Sequence, residues 1–165
     1  MPPKKPHPHH DPHPEYTFQV KWDGRTVAGV RRVSALRRSV TVIDYRQGND
    51  PATTQKLPGS VQYEGITLER GITHDPAFAS WAAQVGGTAP SLSFRKEVRL
   101  EVYNARGQLF EAYKIHRCWP SEYVAVGGLE TGSETGPFQS LTLENEGWER
   151  DTTLRRRSLR RRARR

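Results

Sequence analysis

The chain has 165 residues, the length of one ordinary domain, with 34% hydrophobic residues and a formal net charge of +8. No run of about eighteen apolar residues is present and the N-terminus has no apolar core, so we expect neither a membrane span nor a secretory signal. The single cysteine, Cys118, excludes an internal disulfide and a zinc site built from paired cysteines.

The two ends of the chain differ in composition from its middle. Residues 1–14 hold six of the twelve prolines and four of the six histidines, and proline removes backbone donors and fixes φ. Residues 154–165 hold eight arginines; without them the 26 basic residues become 18, which equals the 18 acids. We therefore predict a flexible arm (1–14), one charge-balanced β domain (15–153) and a flexible arginine-rich tail (154–165).

The domain opens with residues that alternate between apolar and polar. Tyr16, Phe18, Val20 and Trp22 share one side of residues 16–22, which predicts a strand with one buried face. Asp23-Gly24 then favours a tight hairpin, with a return strand over residues 25–30.

Strand, excursion and helix follow in the middle of the chain. Residues 39–45 are rich in β-branched side chains and predict another strand. Residues 47–59 predict a long exposed excursion, and strand character resumes over 61–70. Asp75-Pro76 offers a capping acid before a proline, which is typical of a helix start. We therefore predict one short α-helix at about 75–85, stopped by two glycines.

The clearest alternation lies beyond the helix. Apolar residues from Phe94 to Val102 share one face, and charged residues from Arg95 to Glu101 share the other. A turn at 104–107 and strands over 109–118 and 140–144 complete the pattern. Regular strands with one helix predict a mostly β protein, an antiparallel sandwich or barrel-like fold.

Residues suited to catalysis or metal binding are scarce. His116 and Cys118 lie two apart on a predicted strand, but no orienting acid or oxyanion donor is found nearby. The four histidines of the arm could bind a transition metal, although the prolines keep that arm unfolded. We predict no catalytic residue, no metal site, no cofactor and no enzymatic activity.

The arginine tail indicates an anionic partner. Guanidinium groups bind phosphate or carboxylate bidentately, so either a nucleic acid or an acidic protein fits. A nucleic-acid-binding accessory protein is therefore an alternative function. The arginines concerned are Arg155, Arg156, Arg157, Arg160, Arg161, Arg162, Arg164 and Arg165.

Several segments in a fixed order resemble one known family. They are FQVKWDG, then QKLPGSVQYEGITLERGITHDPAFASW with its Leu-Pro-Gly and Arg-Gly-x-Thr, then NARGQLFEAYKIHRCWPSEY, and finally LETGSETGPFQSLTLENEGWER. Over roughly residues 16–151 the chain resembles the tail tube proteins of contractile phages and of related bacterial contractile injection systems. The arm and the tail match nothing in the family's pattern.

The resemblance implies a structural function. Members of the family form hexameric rings that stack into a rigid hollow tube inside a sheath, and contraction of the sheath drives the tube through a target envelope. Implied partners are further copies of the chain, the sheath, the baseplate, terminator or cap proteins, and a cargo effector or DNA in the lumen. Assembly is expected in the bacterial cytoplasm, as part of a phage tail or a tail-like particle.

The resemblance also implies two assembly surfaces. Residues around the excursion are expected to contact a neighbour in the ring or in the next ring: Asp44, Arg46, Asn49, Asp50, Lys56, Leu57 and Pro58. A face of mixed charge would suit a lumen through which cargo slides, so we hypothesise that Arg95, Glu97, Arg99 and Glu101 line the lumen; contact of the same face with the sheath is the alternative.

Overall fold

A computed structural model describes residues 16–46, 48, 54–87, 93–127 and 136–153. The predicted arm and tail, together with Asn49 and Asp50, lie outside the described residues. Ten strands and one helix are found in the described ranges: β1 Thr17–Trp22, β2 Arg25–Thr26, β3 Val30–Val33, β4 Arg38–Arg46, β5 Thr54–Tyr63, β6 Ile66–Gly71, α1 Ala77–Gly86, β7 Lys96–Tyr103, β8 Leu109–Gly127, β9 Phe138–Glu144 and β10 Trp148–Arg150.

Eight of these strands form one antiparallel sheet that folds over at β8. The order is β2-β1-β7-β8-β9-β6-β3, and β10 also pairs with β8. The first part of the 19-residue β8 pairs with β7 and β10, whereas its second part pairs with β9. Arg117 lies where the partners change and has φ of 50°. We name the β2-β1-β7-β8-β10 side the front half and the β8-β9-β6-β3 side the back half.

The core lies between the two halves. Because side chains alternate along a strand, each half contributes every second residue to the core and presents the others outwards. The front half contributes Val20, Trp22, Val98, Leu100 and Ile115, and the back half contributes Ile66, Leu68, Leu141 and Leu143. This arrangement confirms the predicted antiparallel sandwich-like class.

The helix α1 adds two aromatic residues to the core. The helix begins one residue later than the predicted capping acid implies, with Pro76 at its N-cap, and the Asp75 carboxylate accepts a hydrogen bond from the Ala77 amide at 2.9 Å. Phe78 and Trp81 are fully buried. The indole of Trp81 donates to the Phe94 carbonyl oxygen at 2.8 Å, and its ring centroid lies 4.8 Å from that of Trp22. The helix is therefore attached to the front half through tryptophan.

A buried arginine attaches the helix to the back half. Arg70, at the end of β6, is only 1% exposed. Its guanidinium donates to the Asp75 carbonyl oxygen at 2.6 Å and to Gln139 at 3.0 Å, and it lies 4.1 Å from the centroid of the Phe78 ring. The arginine of the Arg-Gly-x-Thr segment therefore joins β6, β9 and α1.

Replacing Arg70 by leucine is expected to lower the free energy of unfolding by about 2 kcal/mol, because it removes a buried guanidinium and leaves its partly buried partners, Asp75 and Gln139, without their hydrogen bonds. Chemical denaturation of the full chain measures this loss. Arg32→Leu is the matched control: Arg32 lies on β3, its side chain is 73% exposed, and its ion pair with Glu69 spans 3.6 Å. That change should stay within about 0.5 kcal/mol of the original protein. Equal effects of the two substitutions would contradict the role given to Arg70.

Three predicted strand boundaries were wrong. The return strand after Asp23-Gly24 is only Arg25–Thr26, because Val30–Val33 leaves the front half and pairs with β6. Strand character over 61–70 is interrupted at Gly65, where β5 ends and β6 begins. The strand over 140–144 is not the last one, because the three-residue β10 follows it.

Candidate assembly surfaces

Strands β4 and β5 form a separate two-stranded hairpin. They pair with each other and with no strand of the folded sheet. All nine residues of β4 are exposed. The second part of the predicted excursion was wrong: residues 54–59 form part of β5 rather than an irregular loop. The alternation of apolar and polar residues along β5 is interrupted, because the pairing register of β4 and β5 shifts between Val40 and Val42.

One face of the hairpin is apolar. Ile43 lies directly opposite Leu57, and Tyr45 follows two residues later on the same side. The three side chains are 52%, 44% and 48% exposed, respectively. This face therefore presents a continuous apolar strip.

The other face is mixed. Val42 lies opposite Pro58 and is 63% exposed, and Asp44 lies opposite Lys56 with 3.5 Å between the charged groups. Gly59 underlies the register shift, since a Cβ at this position would collide with the Thr41 hydroxyl group.

These features are typical of interaction surfaces. A two-stranded hairpin is at best marginally stable by itself, and clustered exposed apolar side chains are typical of binding sites. The hairpin carries five of the predicted contact residues: Asp44, Arg46, Lys56, Leu57 and Pro58. Sequence reasoning missed five further exposed apolar residues of the hairpin, although their β-branched and aromatic composition was a usable signal. They are Val40, Val42, Ile43, Tyr45 and Val61.

The outward side of the front half forms a second surface, the charged face. Cross-strand pairing places Lys21, Arg99, Lys114 and Glu149 in one row across β1, β7, β8 and β10. The adjacent row of the same face contains Gln19 of β1 and Glu101 of β7. Of the predicted lumen residues, Glu97, Arg99 and Glu101 lie on β7 and belong to this face, and Arg95 lies directly before β7. Sequence reasoning missed its members on β1, β8 and β10, although β1 shows the same alternation.

Glu101 is covered by its neighbours. It is 5% exposed, and its carboxylate accepts hydrogen bonds from Lys21 at 2.6 Å and from Tyr103 at 2.5 Å. Burial alone raises a carboxyl pKa, but these two hydrogen bonds and the charges of Lys21 and Arg99 bring the pKa of Glu101 below its usual value. Burial and the same contact raise the pKa of Tyr103 to about 12. Glu101 is thus a charged anchor for Lys21, while Arg95, Glu97 and Arg99 remain accessible.

His116 and Cys118 do not form a reactive pair. His116 lies on the charged face, 2.7 Å from Glu97 and 3.5 Å from Glu149. Cys118 is fully buried on the other side, where its thiol donates to the Ile115 carbonyl oxygen at 3.4 Å. Burial, with the charge of Glu97, raises the pKa of Cys118 to about 12. The thiol is therefore protonated and shielded, which is the opposite of a nucleophile's environment.

Asp151 fixes the end of the domain at one edge of the charged face. Its amide donates to the Ala112 carbonyl oxygen at 2.7 Å, and its carboxylate lies 3.6 Å from Arg99 and 3.7 Å from Lys114. The same carboxylate accepts hydrogen bonds from the amide and hydroxyl of Thr153 at 3.0 and 2.5 Å. Burial opposes ionisation, but the hydrogen bonds and the two cations lower the pKa of Asp151 below its usual value of 3.8.

Asp151 should make the stability of the protein sensitive to acid. Because the folded-state pKa lies below the unfolded one, its contribution is complete above about pH 4 and is lost as pH falls through the folded-state pKa. We expect Asp151→Asn to lower the free energy of unfolding at pH 7 by about 1–3 kcal/mol, with a smaller difference from the original protein at pH 2–3. Urea denaturation between pH 7 and pH 2 measures this. Asp44→Asn, on the exposed hairpin, should change stability at pH 7 by less than about 0.5 kcal/mol. A difference that stayed constant with pH would contradict the role of the carboxylate charge.

Among the described residues, the front half ends in two strands whose outer sides are partly unpaired. On one side, β2 pairs with Lys21 and Trp22 of β1, and the Val27 amide donates to the Val20 carbonyl oxygen at 2.8 Å, which leaves the part of β1 before Val20 open. On the other side, Asp151 donates its amide to β8, so the alternation of a strand directs the amides of Trp148 and Arg150 away from β8. Because β1, β7, β8 and β10 are four successive antiparallel strands, the two edge strands run in opposite directions.

Within the described ranges, no helix is long and apolar enough to cross a membrane. The same residues contain no group of three or more His, Cys, Asp or Glu side chains placed to hold a metal ion. The predicted histidine arm lies outside these ranges.

Comparisons with known proteins agree with this architecture. A sequence profile described as T4-like virus tail tube protein gp19 matches residues 14–149. No curated protein matches the chain. Among solved structures, a chain of the PVC extracellular contractile injection system sheath-tube complex in the extended state has a TM-score of 0.70 at 21% identity, covering 87% of this chain and 93% of that one. A chain of the anti-feeding prophage baseplate has a TM-score of 0.68 at 17% identity, covering 92% and 97%.

A third structure, of the PVC sheath/tube terminator in the extended state, has a TM-score of 0.70 at 20% identity, covering 90% of this chain and 99% of that one. At these identities the three likenesses establish the fold, and the family follows from the profile match over most of the chain. Nothing in the comparisons supports the alternative of a nucleic-acid-binding accessory protein. The chain belongs to the family of T4-like virus tail tube proteins.

Proposed function

We propose that this tail tube protein forms hexameric rings that stack into the inner tube of a contractile injection system or phage tail. The observation that carries the proposal is the open, antiparallel pair of edges on the front half. A four-stranded unit whose edges run in opposite directions continues as an antiparallel sheet when a second copy is placed beside it, head to tail. Six such units close into a ring without leaving an exposed edge.

Ring closure in this proposal joins β10 of one copy to β1 of the next. The amides of Trp148 and Arg150 supply donors on one side, and the part of β1 before Val20 supplies the other side. The charged faces of the six copies then share one side of the closed sheet. We assign this side to the lumen, with Arg95, Glu97, Arg99 and Glu101 directed towards it.

The charges of this face support a bore that does not retain its cargo. Lys21 is paired with Glu101, and Arg99 and Lys114 are paired with Asp151. Arg95 lies 3.4 Å from Glu146. Because the cations have acids of the same chain beside them, the face offers little net charge to a passing molecule, which is either an effector protein or DNA.

In this proposal the hairpin forms the contacts between one ring and the next. It projects from the folded sheet with apolar residues on both faces, so two surfaces of other copies are needed to bury it. Asp44, Arg46, Lys56, Leu57 and Pro58 are the contact residues that sequence predicted, together with Asn49 and Asp50 beyond the described ranges. Ile43 and Tyr45, about half exposed, add to the apolar area of this surface.

The partners follow from the architecture of the related particles. The structural neighbours come from a sheath-tube complex, a baseplate and a sheath/tube terminator. We infer that this chain contacts the corresponding sheath, baseplate and terminator or cap proteins, and that it assembles in the bacterial cytoplasm. Its function is mechanical and requires no catalysis.

Negative-stain electron microscopy of the purified full chain tests the proposal. Six-fold rings, or tubes made of such rings, are the expected result. A protein that stays monomeric at all concentrations, both by light scattering and on the grid, would refute ring formation by this chain alone.

A further inference from the structure

An apolar groove lies between the two ends of the folded sheet. Its volume is about 270 Å³, which is room for about nine waters at liquid density. One wall belongs to β1, β7 and β8 of the front half, and the other wall to the end of β3 and the residues that follow it. The apolar residues that line it include Phe18, Val33, Leu36, Leu100, Val102 and Tyr113.

Two hydroxyl groups in the walls of the groove are already engaged. The Ser34 hydroxyl accepts a hydrogen bond from the Thr67 amide at 2.9 Å, and the Tyr113 hydroxyl donates to Glu111 at 2.6 Å. The groove therefore offers mainly aliphatic groups and aromatic rings to an occupant. Because water gains few hydrogen bonds against such walls, apolar side chains from outside the subunit fit the groove better than solvent does.

The hairpin of β4 and β5 is the richest source of such side chains in the described ranges. Ten large hydrophobic residues are exposed there, and six of them lie on the hairpin. Its apolar strip presents Ile43, Tyr45 and Leu57 on one face. By contrast, residues 1–15, which lead into the part of β1 that lines the groove, contain Met1 as their sole apolar residue other than proline. The hairpin is therefore the segment whose composition suits the groove.

The strip of one copy does not fill the groove of the same copy. Leu36 lines the groove and β4 starts two residues later, so the groove lies at the base of the hairpin. Ile43 is five residues along β4, about 17 Å from that base. The strip also remains about half exposed. Each copy thus carries one unfilled groove and one uncovered strip, the two different surfaces that a head-to-tail contact between identical copies requires.

We propose that the apolar strip of a hairpin in one ring fills the apolar groove of a copy in the next ring, so that each groove is completed by a partner copy. This inference rests on the stacking contact assigned to the hairpin above and adds the surface that receives it. Phe18 in the groove belongs to the part of β1 before Val20, which the proposed ring joins to β10 of a neighbour. The receiving surface therefore borders the joint between two copies of a ring, and stacking reinforces ring closure.

Disulfide crosslinking of the full chain carrying Leu36→Cys and Leu57→Cys tests the contact. Cys118 is fully buried and does not compete. A disulfide needs Cα atoms within about 7 Å, and Leu57 lies opposite Ile43, far from the hairpin base, so the two cysteines of one copy cannot pair. Oxidised tubes should give a non-reducing ladder that continues beyond six copies, because each disulfide joins one ring to the next. A ladder that stops at six copies would place the contact within a ring and overturn the proposal.

The matched control is the double variant Leu36→Cys, Val42→Cys. Val42 is 63% exposed but lies on the other face of the hairpin, so this variant should form few crosslinks. Equal crosslinking of the two variants would contradict the orientation of the strip. Tubes without any crosslink in the Leu57→Cys variant would overturn the groove contact and leave the tube function standing, whereas the absence of rings from the original chain would refute the tube function itself.

Filling the groove from its own wall is a second test that needs no cysteine. Leu36→Trp places a larger side chain in the groove, so its rings should stack only at a concentration at least about tenfold higher than that of the original protein. Circular dichroism verifies that the variant is folded. Ile72→Trp, at a 53% exposed position outside the groove, should stack as the original protein does. Tubes of the Leu36→Trp variant at the original concentration would overturn the proposal.

Discussion

Replacing Arg150 by proline is expected to abolish ring formation while leaving the subunit folded. Arg150 lies on β10 and its amide points away from β8, so proline removes a donor that only a neighbouring copy could use. Each lost hydrogen bond costs about 1 kcal/mol, and the proline ring adds a steric barrier to strand pairing. Because six identical interfaces must form together, a modest loss at each one prevents closure.

Size-exclusion chromatography with light scattering measures the oligomer, and circular dichroism measures the fold. Arg150→Ala is the matched control: it removes the same side chain and its 2.5 Å contact with Glu111 but keeps the amide. Rings with alanine and monomers with proline are the expected pair of results. Rings in both variants would show that β10 does not join the next copy.

The sequence was most informative where strands alternate regularly. Residues 16–22 and 96–103 each bury one face, and their predicted positions agree with β1 and β7. The helix was also predictable, because Asp75 and the spacing of Phe78 and Trp81 are local signals. These elements depend on interactions within a few residues, which periodicity detects.

The remaining elements depend on distant partners. Glu101 is buried because Lys21, 80 residues away, lies on the neighbouring strand, and no local pattern reveals this. The three residues of β10 are too few to show a period. In the hairpin, Pro58 and Gly59 are typical of loops, yet the register shift accommodates both within β5. The sequence therefore revealed the charged face only on β7, where apolar and charged residues alternate over the longest stretch.

The double variant Ile43→Thr, Leu57→Thr is expected to form rings that do not stack. The two side chains lie opposite each other on the apolar face of the hairpin, and threonine is a β-branched residue that suits a strand. Losing two apolar contacts weakens each inter-ring contact by about 3 kcal/mol, which raises the concentration needed for tube growth by roughly a hundredfold.

The matched control is the double variant Ile72→Thr, Val126→Thr. These side chains are 53% and 49% exposed, against 52% and 44% for Ile43 and Leu57, but they lie outside the hairpin. The concentration at which tubes first appear, measured by light scattering and electron microscopy, should stay within a few-fold of that of the original protein.

If the control variant stopped stacking as well, general surface apolarity would drive assembly. If the hairpin variant stacked normally, the next ring would have to be held by another surface, and the exposed apolar strip of the hairpin would be left without a partner. Rings without tubes in the hairpin variant alone would instead separate the two assembly steps, with sheet edges closing the ring and the hairpin joining one ring to the next.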